Sequence, residues 1–280
     1  MTYLSPAKIN LFLHVTSKRP DGYHNLQTIF QLLDYCDEIS LDYREDGIIN
    51  RLSGNESIPQ DQDLAIRSAT ILKKMTGSKG GVDIGIAKKI PMGGGLGGGS
   101  SNAATVLIAL NKLWSLNLSK EKLMHIGQNL GADVPVFVNC HSSWGEGIGE
   151  ILTPITLPKY FYLIVSIDKH ISTKEIFTHK ALTMSPVQRK IADFSMVSNP
   201  HNDCLDAAIH LEGDSRREMA AIKPLVASKD YIGIAQQITK MKRLWQGRGL
   251  DGLLHRRDDE ANLVRHSDRK YIAGDLVRVA

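Results

Sequence analysis

Between positions 93 and 99 this 280-residue chain places six glycines in seven positions, broken only by Leu96. It then runs through Ser100 and Ser101 into a stretch where Ala103, Ala104, Leu107, Leu110 and Trp114 recur at helical spacing. Glycine lets a backbone take positive φ and lets N–H groups approach a ligand with no Cβ in the way. A helix starting directly afterwards adds unpaired N–H donors and the positive end of its dipole, and the two serines add hydroxyls. The segment Pro91-Met92-Gly93-Gly94-Gly95-Leu96-Gly97-Gly98-Gly99-Ser100-Ser101 therefore reads as an anion cradle, with a flexible glycine turn as the plain alternative. No Gly-Lys-Ser/Thr follows, so the spacing is not that of a P-loop. A Gly-x-Gly-x-x-Gly match is nearly automatic in such a run and carries little weight.

What the cradle serves is narrowed by charge. The excess of basic over acidic side chains is four for the whole chain, and all of it falls in 240–280, which hold ten Lys and Arg against six Asp and Glu. The body is neutral, which argues against a nucleic-acid-binding face, since phosphate-backbone affinity needs a concentrated basic field. An apolar fraction of 42% and a charged fraction of 23% exclude disordered, collagenous and membrane-spanning classes. Cys36, Cys140 and Cys204 are odd in number and form no Cys-x-x-Cys pair, so neither a disulfide framework nor a zinc site is indicated and a reducing compartment fits. With no basic and apolar leader at Met1 and no long apolar run, the expectation is a soluble cytoplasmic protein.

Period-2 alternation over 9–15 predicts a strand that puts Lys8 and Asn10 on one face. Asp21-Gly22 signals a turn, and 27–33 and 38–43 read as two further strands. A helix is expected over 63–75, a strand over 82–87, a helix from Ser119 as N-cap to Leu130, a buried strand over 160–167 and a helix over 202–211. A domain boundary is expected at 154/155, dividing a nucleotide-binding and catalytic domain, 1–154, from a C-terminal domain, 155–280.

Phosphoryl transfer to an alcohol needs an acceptor for the hydroxyl proton and a cation to hold developing negative charge. Lys8 on its strand and Asp133, just past a helix end at Gly131-Ala132, supply such a pair. Alone each reads as structural, and their coincidence with the cradle raises them. Tyr23, His24, Thr173 and Phe177 form an aromatic and hydrogen-bonding set suited to a planar base. On composition alone Phe177 reads as core packing and Tyr23 as turn decoration.

Taken in order, Ser5-Pro6-Ala7-Lys8-Ile9-Asn10-Leu11, Arg19-Pro20-Asp21-Gly22-Tyr23-His24, 91–104 and Gly131-Ala132-Asp133-Val134-Pro135 resemble the GHMP kinase superfamily over roughly residues 2–212. The resemblance implies an α+β fold of two lobes, N-terminal ribosomal-S5-like and C-terminal ferredoxin-like, with the active site between them. The Asp-Gly-Tyr-His segment narrows it to the branch that uses ATP to phosphorylate the 2-hydroxyl of a cytidine-diphosphate-linked methylerythritol in non-mevalonate isoprenoid synthesis. Other alcohol kinases of the superfamily, such as mevalonate or homoserine kinases, are the same-class alternative, and an inactive nucleotide-binding relative is the other. Carried over by position, Asp133 is the general base and Lys8 its supporting cation, with Asn10 beside them. Residues 91–101 hold the ATP phosphates with Mg²⁺ bridging them, Leu64 and Lys88 contact the adenosine end, and Tyr23 and Phe177 sandwich cytosine. His24 and Thr173 bind the base and diphosphate. The metal's ligands and the oligomeric state are not implied.

Two departures stand out. Asp63 occupies a position where the family usually has Asn. The family's third motif, a Gly-Thr/Ser-Gly loop leading into an apolar strand, is replaced by Gln246-Gly247-Arg248-Gly249-Leu250-Asp251-Gly252. Suitable codons for residues 244–255, read one nucleotide later, give Ser-Gly-Lys-Gly-Ala-Ala-Trp-Met-Val-Tyr-Phe, which resembles the missing loop and strand. From about Lys240 aromatics also thin to Trp245 and Tyr271, no Phe appears after Phe194, and Arg and Asp dominate. The segment from about 213 onward is therefore expected to be a frameshifted reading, a plain solvated tail being the alternative. The expectation for this chain is weak stability and low or absent turnover.

Overall fold

A computed structural model describes residues 1–54, 56–164, 172–186, 189–191, 201–212, 216–241 and 277–278. By contacts the chain divides into two compact units, one of Met1–Ser172, Thr183–Asp203 and Val277–Ala280, the other of Thr173–Leu182 and Cys204–Leu276. The expected boundary at 154/155 falls inside the first unit.

The first unit is organised by two long antiparallel strands, β1 (Thr2–Lys18) and β2 (His24–Arg44), joined by the turn expected at Asp21-Gly22. Gly22 sits there at φ 86°, a conformation that costs glycine nothing. The two strands expected over 27–33 and 38–43 are one. The register slips by two residues on β2 between the pairs Lys8↔Leu32 and Pro6↔Cys36, so the polar stretch between them is a bulge inside a continuing ladder. The far edge of β2 is shared by β5 (Ser143–Glu146), which pairs with Thr28 to Phe30, and β4 (Gly81–Ala87), which pairs with Glu38 to Arg44. β3 (Ile49–Arg51) adds in parallel to β4, and β6 (Ile151–Pro154) closes the other edge against β5.

Helices α1 (Leu64–Thr76), α2 (Gly98–Leu113), α3 (Lys120–Gln128) and α4 (Val134–Asn139) bury their apolar sides in one core with this sheet, including Ile39, Leu41, Leu72, Ile84, Leu107 and Ile126. α1 begins because the Asp63 carboxylate accepts from Ala65 N and ends at Gly77 in the left-handed region, φ 69°. Ser119 caps α3 as expected, but that helix ends two residues short of Leu130. A smaller cluster of Ala7, Leu33, Ile90 and Leu96 lies under the glycine loop. Along β1 Ser5, Ala7, Lys8, Phe12, His14, Val15 and Thr16 are buried, whereas Ile9, Asn10, Leu11 and Leu13 are half-buried. A further slip between Asn10 and Leu13 breaks the simple alternation, and Phe12 packs with Ile29 and Trp144.

The strand expected over 160–167 is short, β7 (Phe161–Tyr162), paired with β8 (Val277–Arg278). Phe161 is 72% exposed, so this strand is not the buried one expected, and residues 165–167 lie outside the described ones. In the second unit α5 (Thr173–Thr178), α6 (Leu205–Glu212), α7 (Arg216–Ala227) and α8 (Tyr231–Lys240) contribute Ile176, Ala207, Ile222, Ile234, Ala235 and Ile238 as buried side chains. α6 starts three residues later than expected. Asn202 instead bridges to Leu13 in the first unit, and the buried carboxylate of Asp203 accepts from Val15 N at 2.7 Å and Ser185 Oγ at 2.9 Å. Of the region read as frameshifted, 213–215, 242–276 and 279–280 lie outside the described residues, the second glycine run among them.

Candidate active site

The glycine loop is pinned by its single large residue. Leu96 is 6% exposed in the small cluster under the loop, and its carbonyl accepts from Lys8 N at 2.9 Å. Burying such a side chain contributes roughly 1.5–3 kcal/mol, so the loop is anchored at its middle. Gly93, Gly95 and Gly97 all adopt φ near 72°. Gly97 is required twice over: besides its φ, a Cβ there would meet the Phe137 ring at 2.8 Å and Lys8 Cγ at 3.2 Å.

Gly97 is also the N-cap of α2, with no side-chain capping bond, so Gly98, Gly99 and Ser100 present the free N–H groups of a 16-residue helix. Ser100 is half-buried at this end. Ser101 is fully buried, its N donates to Gly97 O at 2.8 Å, and its hydroxyl accepts from Ser5 Oγ at 2.8 Å. Pro91, Gly93 and Gly97 are half-buried, Gly98 is buried, and Met92, Gly94, Gly95 and Gly99 are exposed. A Cβ on Gly99 would lie 3.6 Å from Leu64 Cδ1, and one on Gly98 would lie 3.0 Å from Lys88 Nζ. The first turn of α2 thus lies against both side chains assigned to the adenosine end.

Lys8 and Asp133 come together beside this loop. Lys8 Nζ lies 3.3 Å from Asp133 Oδ2, donates to Asn10 Oδ1 at 2.5 Å and sits 5.5 Å from the centre of the Phe30 ring. Lys8 is 5% exposed, and an ammonium so buried is tolerable only when paired. Asp133 is the N-cap of α4 but makes no capping bond, leaving its carboxylate, one-third exposed, to the ammonium and to solvent. The neighbouring turn abuts the loop's end, since a Cβ on Gly131 would lie 3.6 Å from Ser100 Oγ. Asn10 is fixed from behind: its Nδ2 donates to Thr28 Oγ1 at 2.8 Å, and that hydroxyl spends its own proton on Phe12 O. The amide oxygen is thereby turned toward Lys8.

Tyr23 stands 61% exposed on the turn, its N donating to Asp21 Oδ1 at 3.1 Å. His24 opens β2 and is buried, and burial with the nearby Lys18 ammonium lowers its pKa below the usual histidine value. Thr173 and Phe177 lie on α5 in the second unit, Thr173 exposed and Phe177 half-buried, and it is Ile176 between them that enters the core. A cleft of about 720 Å³ opens beside α1, lined by Ile66, Arg67, Thr70, Lys74, Asn129 and Leu130 among others; none of the assigned residues lines it. Two buried polar residues were missed in the sequence, Thr28 and Asp37. Thr28, polar beside Ile29 and Phe30, carried a signal, whereas Asp37 sits in a polar stretch and carried none.

A glycine cradle on a helix N-terminus, beside a paired carboxylate and ammonium and on this sheet, defines a small-molecule kinase of the GHMP type. The family model described as the GHMP kinases N terminal domain matches residues 63–141. A 4-diphosphocytidyl-2-C-methyl-D-erythritol kinase from Ruthia magnifica subsp. Calyptogena magnifica is 60% identical over 213 residues, 76% of this chain and 75% of that one. One from Ralstonia nicotianae is 40% identical over 272 residues, 90% and 93% of the two chains. A crystal structure of a 4-(cytidine 5'-diphospho)-2C-methyl-D-erythritol kinase superposes with a TM-score of 0.63 at 29% identity, covering 80% of this chain and 83% of that one. The chain belongs to the 4-diphosphocytidyl-2-C-methyl-D-erythritol kinase family, which sets aside the mevalonate and homoserine kinase alternatives. Among the described residues no helix is long and apolar enough to cross a membrane, and none of the three cysteines forms a disulfide.

Proposed function

We propose that this chain encodes the transfer of the γ-phosphoryl group of ATP to the 2-hydroxyl of 4-diphosphocytidyl-2-C-methyl-D-erythritol, in the cytoplasm. The observation that carries the assignment of roles is the contiguity of the Lys8–Asp133 pair with the glycine loop, through Leu96 O, Gly97 and Phe137. In this reading the N–H groups of 93–100 and the α2 N-terminus bind the triphosphate, and Asp133 accepts the hydroxyl proton. Lys8, held by Asn10, stabilises negative charge on the reacting oxygens. Leu64 and Lys88 bear on the adenosine end, while Tyr23, His24, Thr173 and Phe177 are assigned to the cytidine diphosphate.

No group of three or more His, Cys, Asp or Glu side chains that could hold a metal is found among the described residues. Among the described residues Asp133 is the partly exposed carboxylate beside the loop, Asp37 being fully buried, a donor set that fits a Mg²⁺ carried mainly on the nucleotide's phosphates, with Ser100 as the nearby hydroxyl. Mg²⁺, when bound, would neutralise charge on those phosphates.

We also infer that the reading frame changes after about residue 212, so that the activity belongs to the restored frame and this chain turns over little. The 60%-identical relative supports this, because its match covers 213 residues and leaves a quarter of that protein without a counterpart, although the 40%-identical relative is matched over 90% of this chain. An uninterrupted frame in both gene and transcript would remove the idea. The catalytic reading is tested by ADP release with the cytidine diphosphate substrate on the frame-restored protein. Substrate-dependent turnover should fall roughly 10²- to 10⁴-fold in Asp133→Asn, and unchanged turnover would refute the assignment.

A further inference from the structure

Asp37 is a fully buried carboxylate on β2 that the proposed phosphoryl transfer does not use. Its Oδ1 accepts from Lys89 N at 2.7 Å and from Ile90 N at 2.9 Å, the turn that carries the chain from β4 toward the glycine loop. Its Oδ2 takes the Lys88 ammonium. The same oxygen faces the Asn102 amide at 3.0 Å, and because that amide atom also faces Gly98 O at 3.0 Å, both partners being acceptors, it is the nitrogen. The carboxylate therefore binds the residues leading into the loop and, through Asn102, the helix after it. Ser5, its cross-strand partner on β1, donates to Ser101 on the same turn of α2.

The location of Lys88 gives this network a purpose. Its Nζ lies against Gly98, at the N-terminus of α2, where the helix dipole is positive and disfavours a cation. With no anion bound, the ammonium stays there because Asp37 holds it. A triphosphate would then meet a positive pole made of ammonium and helix N–H groups already assembled, with no ordering left to be done on binding.

We propose that Asp37 is a positioning residue for nucleotide binding, acting through Lys88. The proposal rests on the reading of Lys88 and 91–101 as the nucleotide site. The test is calorimetric titration of ATP into the full chain as it stands and into Asp37→Asn, Lys88→Met, the double variant and Leu41→Ala. The last makes a cavity in the core side of the same strand and matches the loss of stability without touching the network. Asp37→Asn should weaken ATP about tenfold, as expected for losing a charge-assisted contact. The double variant should bind no more weakly than Lys88→Met, and Leu41→Ala should bind like the parent.

A Lys88→Met loss with no loss in Asp37→Asn overturns the role of Asp37 and leaves the nucleotide site standing. Equal loss from Asp37→Asn with and without Lys88 shows that it does not act through the ammonium and also overturns the proposal. An equal loss in Leu41→Ala reduces Asp37 to general stability and does the same. If Lys88→Met binds ATP as tightly as the parent, the site reading and the proposal fall together. Should Asp37→Asn alone not fold, the double variant, which removes both charges of the buried pair, decides: weaker binding than Lys88→Met overturns the proposal, equal binding upholds it.

Discussion

Of the glycine-rich stretches 93–99 and 247–252, only the first has the sequence features around it that make glycine useful. In the first, the one side chain is Leu96, which is buried and ties the loop to the cluster beneath it, and the run ends as the N-terminus of a 16-residue helix. In the second, Arg248 and Asp251 stand among the glycines, neither of which a close backbone approach to phosphate would favour, and the sequence beyond it is rich in charge. Glycine content alone is therefore a poor sign of a cradle. What defines one is an apolar anchor within the run, a helix directly after it and a buried polar frame such as Asp37 and Asn102 holding its two ends.

The largest expected effect breaks the comparison directly. Replacing the segment after the proposed frame change by the shifted reading would supply a second set of backbone donors, Ser-Gly-Lys-Gly. Loss of preorganised donors of this kind typically costs 10²- to 10³-fold, so the restored chain should release ADP roughly 10²- to 10³-fold faster than this one under saturating ATP. Equal rates in the two proteins would mean that the second stretch was never part of the phosphate site and that the difference between the two stretches has no catalytic content.

A smaller effect sharpens it from the other side. Leu96→Ala removes the anchor and leaves the first stretch more like a bare glycine run. Large-to-small changes at buried leucines cost about 2–5 kcal/mol, and with Leu96 in a small cluster of Ala7, Leu33 and Ile90 the low end is expected, about 2–3 kcal/mol in chemical denaturation. ATP affinity should fall as well, because Lys8 N donates to the Leu96 carbonyl and the loop's position depends on that contact. A variant as stable as the parent would show that the glycines hold their shape without the anchor.

Much of this was readable in advance, for physical reasons that can be given residue by residue. The glycine loop, α1, β4 and α3 announce themselves through local signals: an Asp63 cap, a Ser119 cap, a run that only a φ near 72° explains. The pairing of Lys8 with Asp133 was visible only as a coincidence of types, since the two are 125 positions apart and their meeting depends on α2 packing against both β1 and α4. The single strand β2 was missed because Asp34-Tyr35-Cys36-Asp37 looks like a turn, whereas β1 continues alongside it and the bulge takes up the extra residues. Asp37 itself was invisible for a related reason: an aspartate on a strand reads as exposed until the four donors that satisfy it are known. On β1 Lys8, Phe12 and His14 are more buried than Ile9, Leu11 and Leu13, because Lys8 is neutralised and Phe12 finds Trp144, while Val15 keeps to the expected core.

The smallest effect concerns acid, and it asks whether the first unit is sound irrespective of the segment read as frameshifted. His14 and His24 are both buried on the two long strands, and burial lowers the pKa of each. Around His14, Asp203 opposes this shift while Arg189 and His201 add to it, and around His24 the Lys18 ammonium adds to it. A histidine with a depressed folded value binds fewer protons folded than unfolded once the pH drops below its ordinary value of 6.5. Unfolding is then favoured as pH falls, so stability should be flat above pH 7 and decline below about 6.5, by at most about 1.4 kcal/mol per pH unit for each histidine. Denaturant midpoints from pH 7.5 to 5 measure this, and the decline should be shallower in His14→Gln and His24→Gln. The groups concerned all lie in the first unit, outside that segment, so the parent and frame-restored proteins should share one slope. Different slopes would mean that the segment read as frameshifted alters the environment of the long strands, and the two regions could then no longer be treated as separable.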